Sequence, residues 1–362
     1  MKIHLVASAV LVALIAEFIP LLAAAAAPGF APAQTIATGT LAGGVIVGDF
    51  NGDSRPDVFS VNFTSTTVLL SNEDGTFTAI PGPALTSSAS LGVAADFNDD
   101  GNVDVIISNF AGSNLFVLLG RGDGTFDPPA LIATGLHPLG IVTDDLDGDG
   151  NLDLVIVNNG GNSVSVLKGR GDGTFSAGVS LAAGRDPRVV TLGDFDNDGN
   201  LDIAVTNFLD DNVSIFRGNG DGTFGTAITA AVGAGPQAVS TGDFDGDGNL
   251  DLVVTNNSGN TVSILLGAGD SNFAPAVHYG VGVKPRYVAV ADFDGDGFLD
   301  LAVTNNGSND VSILPGNGNG MFAAAVSFAT GATPNDVKAA DLDGDGKPDL
   351  VVANSGAGSV SI

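Results

Sequence analysis

Asp243-Phe244-Asp245-Gly246-Asp247-Gly248-Asn249-Leu250-Asp251 is one copy of a phrase that occurs seven times in this chain. The copies begin at Asp49, Asp96, Asp145, Asp194, Asp243, Asp292 and Asp341, one step of 47 residues and then five of 49. A second phrase, Gly-Asp-Gly-Thr-Phe or a variant, ends at Phe77, Phe126, Phe175, Phe224, Phe273 and Phe322. A third mark is an Asn closing an apolar run, at Asn62, Asn109, Asn158, Asn207, Asn256, Asn305 and Asn354. Three marks in one register define a repeat, and periods of this length build propellers or solenoids.

Each unit reads as four short strands. In the sixth they are Tyr287–Ala291, Leu301–Thr304, Val311–Leu314 and Ala324–Ala329, β-branched or small and bounded by Gly, Asn, Asp or Pro. Four antiparallel strands repeated seven times predict an all-β, seven-bladed propeller spanning residues 28–362 as one domain. A β-solenoid is the alternative, but its coils are shorter and need no closure. The chain ends favour closure. The register places the next Phe beyond Ile362, and counting back from Phe77 by 47 lands on Phe30. Blade seven therefore stops after three strands near Val360–Ile362, and Gln34 to Thr38 is expected to supply its fourth, leaving no open edge.

Within each phrase, oxygen-bearing side chains recur at positions 1, 3, 5 and 9. They are Asp49, Asn51, Asp53 and Asp57; Asp96, Asn98, Asp100 and Asp104; Asp145, Asp147, Asp149 and Asp153; Asp194, Asp196, Asp198 and Asp202. Blades five to seven contribute Asp243, Asp245, Asp247 and Asp251; Asp292, Asp294, Asp296 and Asp300; and Asp341, Asp343, Asp345 and Asp349. Gly at position 6 permits a sharp turn in six copies, and position 7 offers a carbonyl. Hard oxygen donors without His or Cys select calcium, giving up to seven ions. The loops hold 26 of the 41 acidic residues, and such packing repels itself without a cation. The first loop is the weakest candidate, with Ser54 in place of Gly and Asn51 lowering its charge. A helix–loop–helix calcium hand is excluded, since Val254 stands where a glutamate is required.

These loops, with the Gly-Asp-Gly-Thr-Phe phrases at this period, resemble FG-GAP or VCBS-type repeats over essentially Pro28 to Ile362. The resemblance implies a calcium-bearing propeller like the N-terminal propeller of integrin α subunits and many bacterial surface proteins. A fungal lectin type with seven calcium-bearing blades is also similar. Two departures stand out. Only Phe224-Gly225 keeps a literal Phe-Gly pair in the second phrase, and all seven blades carry the loop, where integrins have it in some.

Composition narrows the function. Cysteine is absent, so disulfides, thiol chemistry and Cys-ligated zinc are excluded, and calcium is expected to staple the fold instead. A net charge of −29 disfavours nucleic acid and anionic membranes. Residues 1–27 carry a basic start, an apolar run from Leu5 to Ala16 and alanines 23–27, the layout of a secretory signal peptide. An uncleaved anchor is the alternative, against which Glu17 and Pro20 argue. The expected location is secreted, cell-surface or periplasmic.

In four-stranded blades the acidic loops and Gly-Asp-Gly-Thr-Phe turns share one face of the ring, leaving the blade-link face for a partner. Six residues before each loop the residue varies: Gly43, Ser90, Leu139, Arg188, Gln237, Arg286 and Asn335. Positions that differ between blades are free to set specificity, so Arg188, Gln237, Arg286 and Asn335 are the candidate ligand residues for an anionic or polar ligand. The expected protein is a monomeric, non-enzymatic interaction or adhesion module for an extracellular protein or glycan. A lectin is the first alternative, weakened by zero Trp and two Tyr. A propeller lyase or hydrolase is the second. Its only mature histidines, His137 and His278, lie in different blades, and no acid–base pair stands out. Arg121-Gly122-Asp123 and Arg170-Gly171-Asp172 match an adhesive tripeptide only because Arg fills a variable position before Gly-Asp-Gly.

Overall fold

The valine-rich runs between turn phrases form 28 strands in a computed structural model that describes residues 29–362. The expected signal peptide lies outside the described residues. The strands make seven four-stranded antiparallel sheets, each of consecutive strands except the last. Blade six comprises Pro285–Ala291, Asp300–Asn305, Asp310–Leu314 and Val326–Ala329. The second strand begins one residue earlier than the apolar pattern suggests because the position-9 Asp pairs within the sheet, Ala291 with Asp300. The fourth begins later because Phe322 first bridges to Gly316 and holds residues 323–325 in the turn.

Blade seven closes the ring as the register requires. Thr35–Ala37 pairs antiparallel with Ser359–Ser361, and Gln34 and Ile362 exchange backbone hydrogen bonds of 2.8 and 2.9 Å. No helix among the described residues is long and apolar enough to cross a membrane.

The core is divided by the blade interfaces. Seven buried apolar clusters occur, one for each pair of neighbouring blades. Strand alternation produces this division. In Asp251–Asn256 the side chains of Leu252 and Val254 enter the cluster shared with blade four, while Val253 enters the one shared with blade six. Second strands are thus buried on both faces and read as continuous apolar runs, whereas fourth strands form the exposed rim.

Candidate metal centres and the link face

The acidic loop connects the first and second strands of each blade. Its fold follows from its own carboxylates. In blade five, Asp243 accepts the N–H groups of Gly246 (2.7 Å) and Gly248 (3.0 Å), which bends the chain around position 1. Gly248 takes φ of +87°, and the equivalent glycines lie between +85° and +89°. Ser54 holds the same left-handed conformation at +66°, the strained exception in the first loop.

Position 9 does a different job. Asp251 accepts the N–H of Phe244 (2.8 Å) and that of Gly267 beyond the third strand (2.7 Å). It is fully buried, as are Asp57, Asp104, Asp153, Asp202 and Asp300. Burial, opposed by those N–H bonds and reinforced by the carboxylates of Asp245 and Asp243, raises its pKa to about 6. Asp300 also rises to about 6, through burial and then Asp294 and Asp296.

In five loops positions 1, 3 and 9 converge, with one oxygen from each within 4.8 Å of the others: Asp145/Asp147/Asp153, Asp194/Asp196/Asp202, Asp243/Asp245/Asp251, Asp292/Asp294/Asp300 and Asp341/Asp343/Asp349. Position 5 stands outside these groups. Its carboxylate accepts the position-7 N–H, as Asp247 does from Asn249 at 2.8 Å. The first two loops fold alike, but Asn51 and Asn98 turn their amides onto Asp53 and Asp100. Three carboxylates with no nitrogen or sulfur donor fit a hard divalent cation. The structure adds cations from the protein itself. Arg55 pairs with Asp53 in loop one, and Lys168 Nζ lies 2.7 Å from Asp147 in loop three.

The loops are also wired into the blade interfaces, which repeat analysis alone did not reveal. The carbonyl of the position-2 residue accepts an N–H from the next blade's Gly-Asp-Gly-Thr-Phe turn. Gly124 donates to Phe50 (2.8 Å), Gly173 to Phe97 (2.9 Å), Gly222 to Leu146 (3.2 Å), Ser271 to Phe195 (2.8 Å) and Gly320 to Phe244 (2.8 Å). The turn's Phe then packs edge-on against the position-2 ring, as Phe126 does on Phe50 at 5.8 Å. Asp123 and Asp172 cap their own turns through Thr125 and Thr174. Arg121 pairs with Asp127.

On the opposite face, the candidate ligand column lies at the second residue of successive inner strands. Gln237 is buried, and Arg188, Arg286 and Asn335 are partly so. Asn335 spends its amide on the Gly43 carbonyl, which ties blade seven to blade one. The link turns are held rigidly. Asn162, Asp211, Asn260 and Asn309 each accept an N–H from the turn before the next inner strand, at 2.7 to 2.9 Å.

Fold and loops together define a seven-bladed propeller with an acidic, oxygen-donor loop in every blade. The chain belongs to the FG-GAP-like repeat family, whose model matches residues 49–107, 96–156, 145–205, 194–254, 243–303 and 292–352. No curated protein sequence matches it. Among solved structures it is similar to an Agrocybe aegerita lectin that recognises non-reducing terminal N-acetylglucosamine (20% identity, 90% of this chain and 86% of that one, TM-score 0.56). It is also similar to virginiamycin B lyase from Staphylococcus aureus (15%, 91% and 97%, TM-score 0.61). The periplasmic gluconolactonase of Pseudomonas aeruginosa is comparable (17%, 87% and 88%, TM-score 0.62). At these identities the likeness establishes the fold alone.

Proposed function

We propose that this chain is a secreted, calcium-stapled ring that acts as a non-enzymatic interaction module, with the link face as its recognition surface. The observation that carries this reading is the wiring of the acidic loops of blades one to five into the next blade's turn. A cation that orders the loop also fixes the position-2 residue, and with it the blade interface. Calcium is the ion that suits carboxylate-only loops, and it is plentiful outside cells, where a chain without cysteine needs another staple. The proposal gives each loop an ion, held by positions 1, 3 and 9 together with remaining loop oxygens. Loops one to four, carrying Asn or a paired cation (Arg217 lies 3.5 Å from Asp196 in loop four), are the weaker set.

The histidines support a non-enzymatic role. His137 stacks on Phe110 (5.4 Å), and His278 bonds to Ser263 (3.0 Å) on the outer strands of blade five. They share no site.

A glycan and extracellular-matrix array, probed with the calcium-loaded ring and again in chelator, tests the reading. Calcium-dependent capture of one ligand class supports it. Capture of one sugar type alone would make the protein a lectin, and turnover of a captured polysaccharide would refute the non-enzymatic assignment.

A further inference from the structure

The mouth of the central axis holds charges that the metal loops do not use. Arg188, Gln237, Arg286 and Asn335 sit on Pro187–Gly193, Pro236–Gly242, Pro285–Ala291 and Pro334–Ala340, the inner strands of blades four to seven. Each strand has a register shift just after its proline, at the column residue. In blades four to six a threonine fills that irregularity. Thr206, Thr255 and Thr304 accept the N–H groups of Val189, Ala238 and Tyr287 at 2.9 to 3.1 Å. Their hydroxyls reach the carbonyls of Gln237, Arg286 and Asn335 in the following blade at 2.7 to 3.2 Å. The other blades have Val61, Ser108, Val157 and Ala353 there. These threonine links run from blade four to blade seven and fix the backbone of Gln237, Arg286 and Asn335.

The two guanidinium groups are unequal. Arg188 is anchored, 2.7 Å from Asp186 and 4.7 Å above the Phe208 ring. Arg286 has no ion pair and no side-chain hydrogen bond among the described residues. The Nε of each arginine is buried without a partner. Burial, with the nearby Arg188 charge, makes the Arg286 cation less favourable than in water. Beneath them the axis is apolar. Leu91 of blade two joins Ala238 and Tyr287 of blades five and six in one buried cluster, with Val189 packed against it. The buried Tyr287 hydroxyl lies beside Gln237. Nearby acids are already matched, Asp186 by Arg188 and the buried Asp336 by Lys338 at 3.9 Å and by the Val45 and Val337 N–H groups. Of the two arginines at the axis, Arg286 is the one left without an ion pair among the described residues, in a chain of net charge −29.

We propose that Arg286, with Arg188 and Gln237, forms an axial site for a single carboxylate group, carried by a small organic acid or an acidic sugar. A guanidinium fork presents paired N–H donors that match a carboxylate, and one such anion balances the uncompensated charge. The net negative field of the ring disfavours polyanions, so one charged group on an otherwise neutral ligand fits best. This deepens the link-face reading by naming its chemistry, and rests on that reading only for the location of the site.

The test titrates the calcium-loaded ring with glucuronate, N-acetylneuraminate and lactate, each beside its methyl ester, and with inorganic phosphate, by calorimetry and saturation-transfer NMR. Saturable binding of an acid and not its ester is expected. Selectivity for the sugar acids identifies a glycan source, and binding of lactate alone a small acid. Arg286→Gln is expected to weaken binding about 10- to 100-fold, the effect of losing one charge-assisted contact. The same variant should melt no lower than the parent without ligand, because it removes a partly buried, unpaired charge. Arg286→Lys, which keeps the charge and loses the fork, should weaken binding by about tenfold, and it serves if the glutamine variant does not fold. The proposal is overturned by no saturable binding of any acid, equal binding of acid and ester, equal binding of phosphate, or unchanged affinity in Arg286→Gln. A lowered melting temperature in that variant would make Arg286 structural and would also overturn it. A blank array beside clear carboxylate binding removes the macromolecular reading alone; the reverse result removes this site alone.

Discussion

Acidification should move the melting temperature in opposite directions with and without calcium, and the position-9 carboxylates say why. Extracellular calcium modules bind with dissociation constants near ~0.1 mM at the tight end. At about 1 mM calcium such a site adds ~1.4 kcal/mol by mass action, and seven could add on the order of 10 kcal/mol. Unfolding entropy of about 2.1 cal/mol/K per residue, over roughly 330 residues, is ~0.7 kcal/mol/K. Removing calcium at pH 7.5 is therefore expected to lower Tm by up to ~14 °C. In the metal-free ring, Asp251 and Asp300 have pKa values raised from 3.8 to about 6. The folded state then binds those protons more tightly than the unfolded chain. The penalty is present above pH 6 and is relieved as pH falls through 6. Between pH 7.5 and pH 5 each residue should restore about 1 kcal/mol. Asp57, Asp104, Asp153, Asp202 and Asp349 shift in the same direction through burial. The metal-free ring should thus melt higher at pH 5, while the calcium-loaded ring melts lower as protons displace the ion. Scanning calorimetry in calcium and in chelator measures both slopes. An unchanged Tm on chelation at pH 7.5 would sink the stapling argument. A metal-free Tm that fell on acidification would sink the account of position 9.

Two further outcomes follow from the same geometry. Phe126 packs at 5.3 Å from Phe59 and 5.8 Å from Phe50 and is 7% exposed, so Phe126→Ala should destabilise the calcium-loaded ring by about 3–5 kcal/mol. It should also weaken calcium at loop one, read from the Ser54 amide by NMR; loss of stability without that weakening would separate the turn from the metal site. Lys168 lies on Asp147 and also donates to the Asp221 carbonyl of the next blade, at 2.6 Å. Lys168→Met should tighten calcium at loop three about two- to fivefold, and an unchanged titration of the Gly150 amide would show that the lysine yields freely to the ion.

The residues that repeat at 49-residue steps were legible because every blade reuses them in the same way. The acidic loop, the Asn that closes the second strand and the turn phrase all have partners close in the chain. Asn305 bonds to Ser312 (2.8 Å), and Asn354 to Ser361 (2.8 Å). Ring closure was legible for the same reason. A register that overruns Ile362 and restarts at Phe30 leaves Thr35–Ala37 as the missing strand. Folding decided what depends on partners in another blade. The clamp from Gly124 to Phe50 spans a blade boundary, and nothing in either phrase names the other. Position 9 reads as one more ligand in the sequence, yet the sheet buries it and aims two N–H groups at it. Lys168 and Arg286 look alike as basic residues at variable positions. One reaches the carboxylate of Asp147, and the other feels a second arginine's charge and has no ion pair among the described residues. Periodicity records what every blade needs locally. Charge balance at the axis depends on side chains from blades a hundred residues apart, and only the closed ring brings them together.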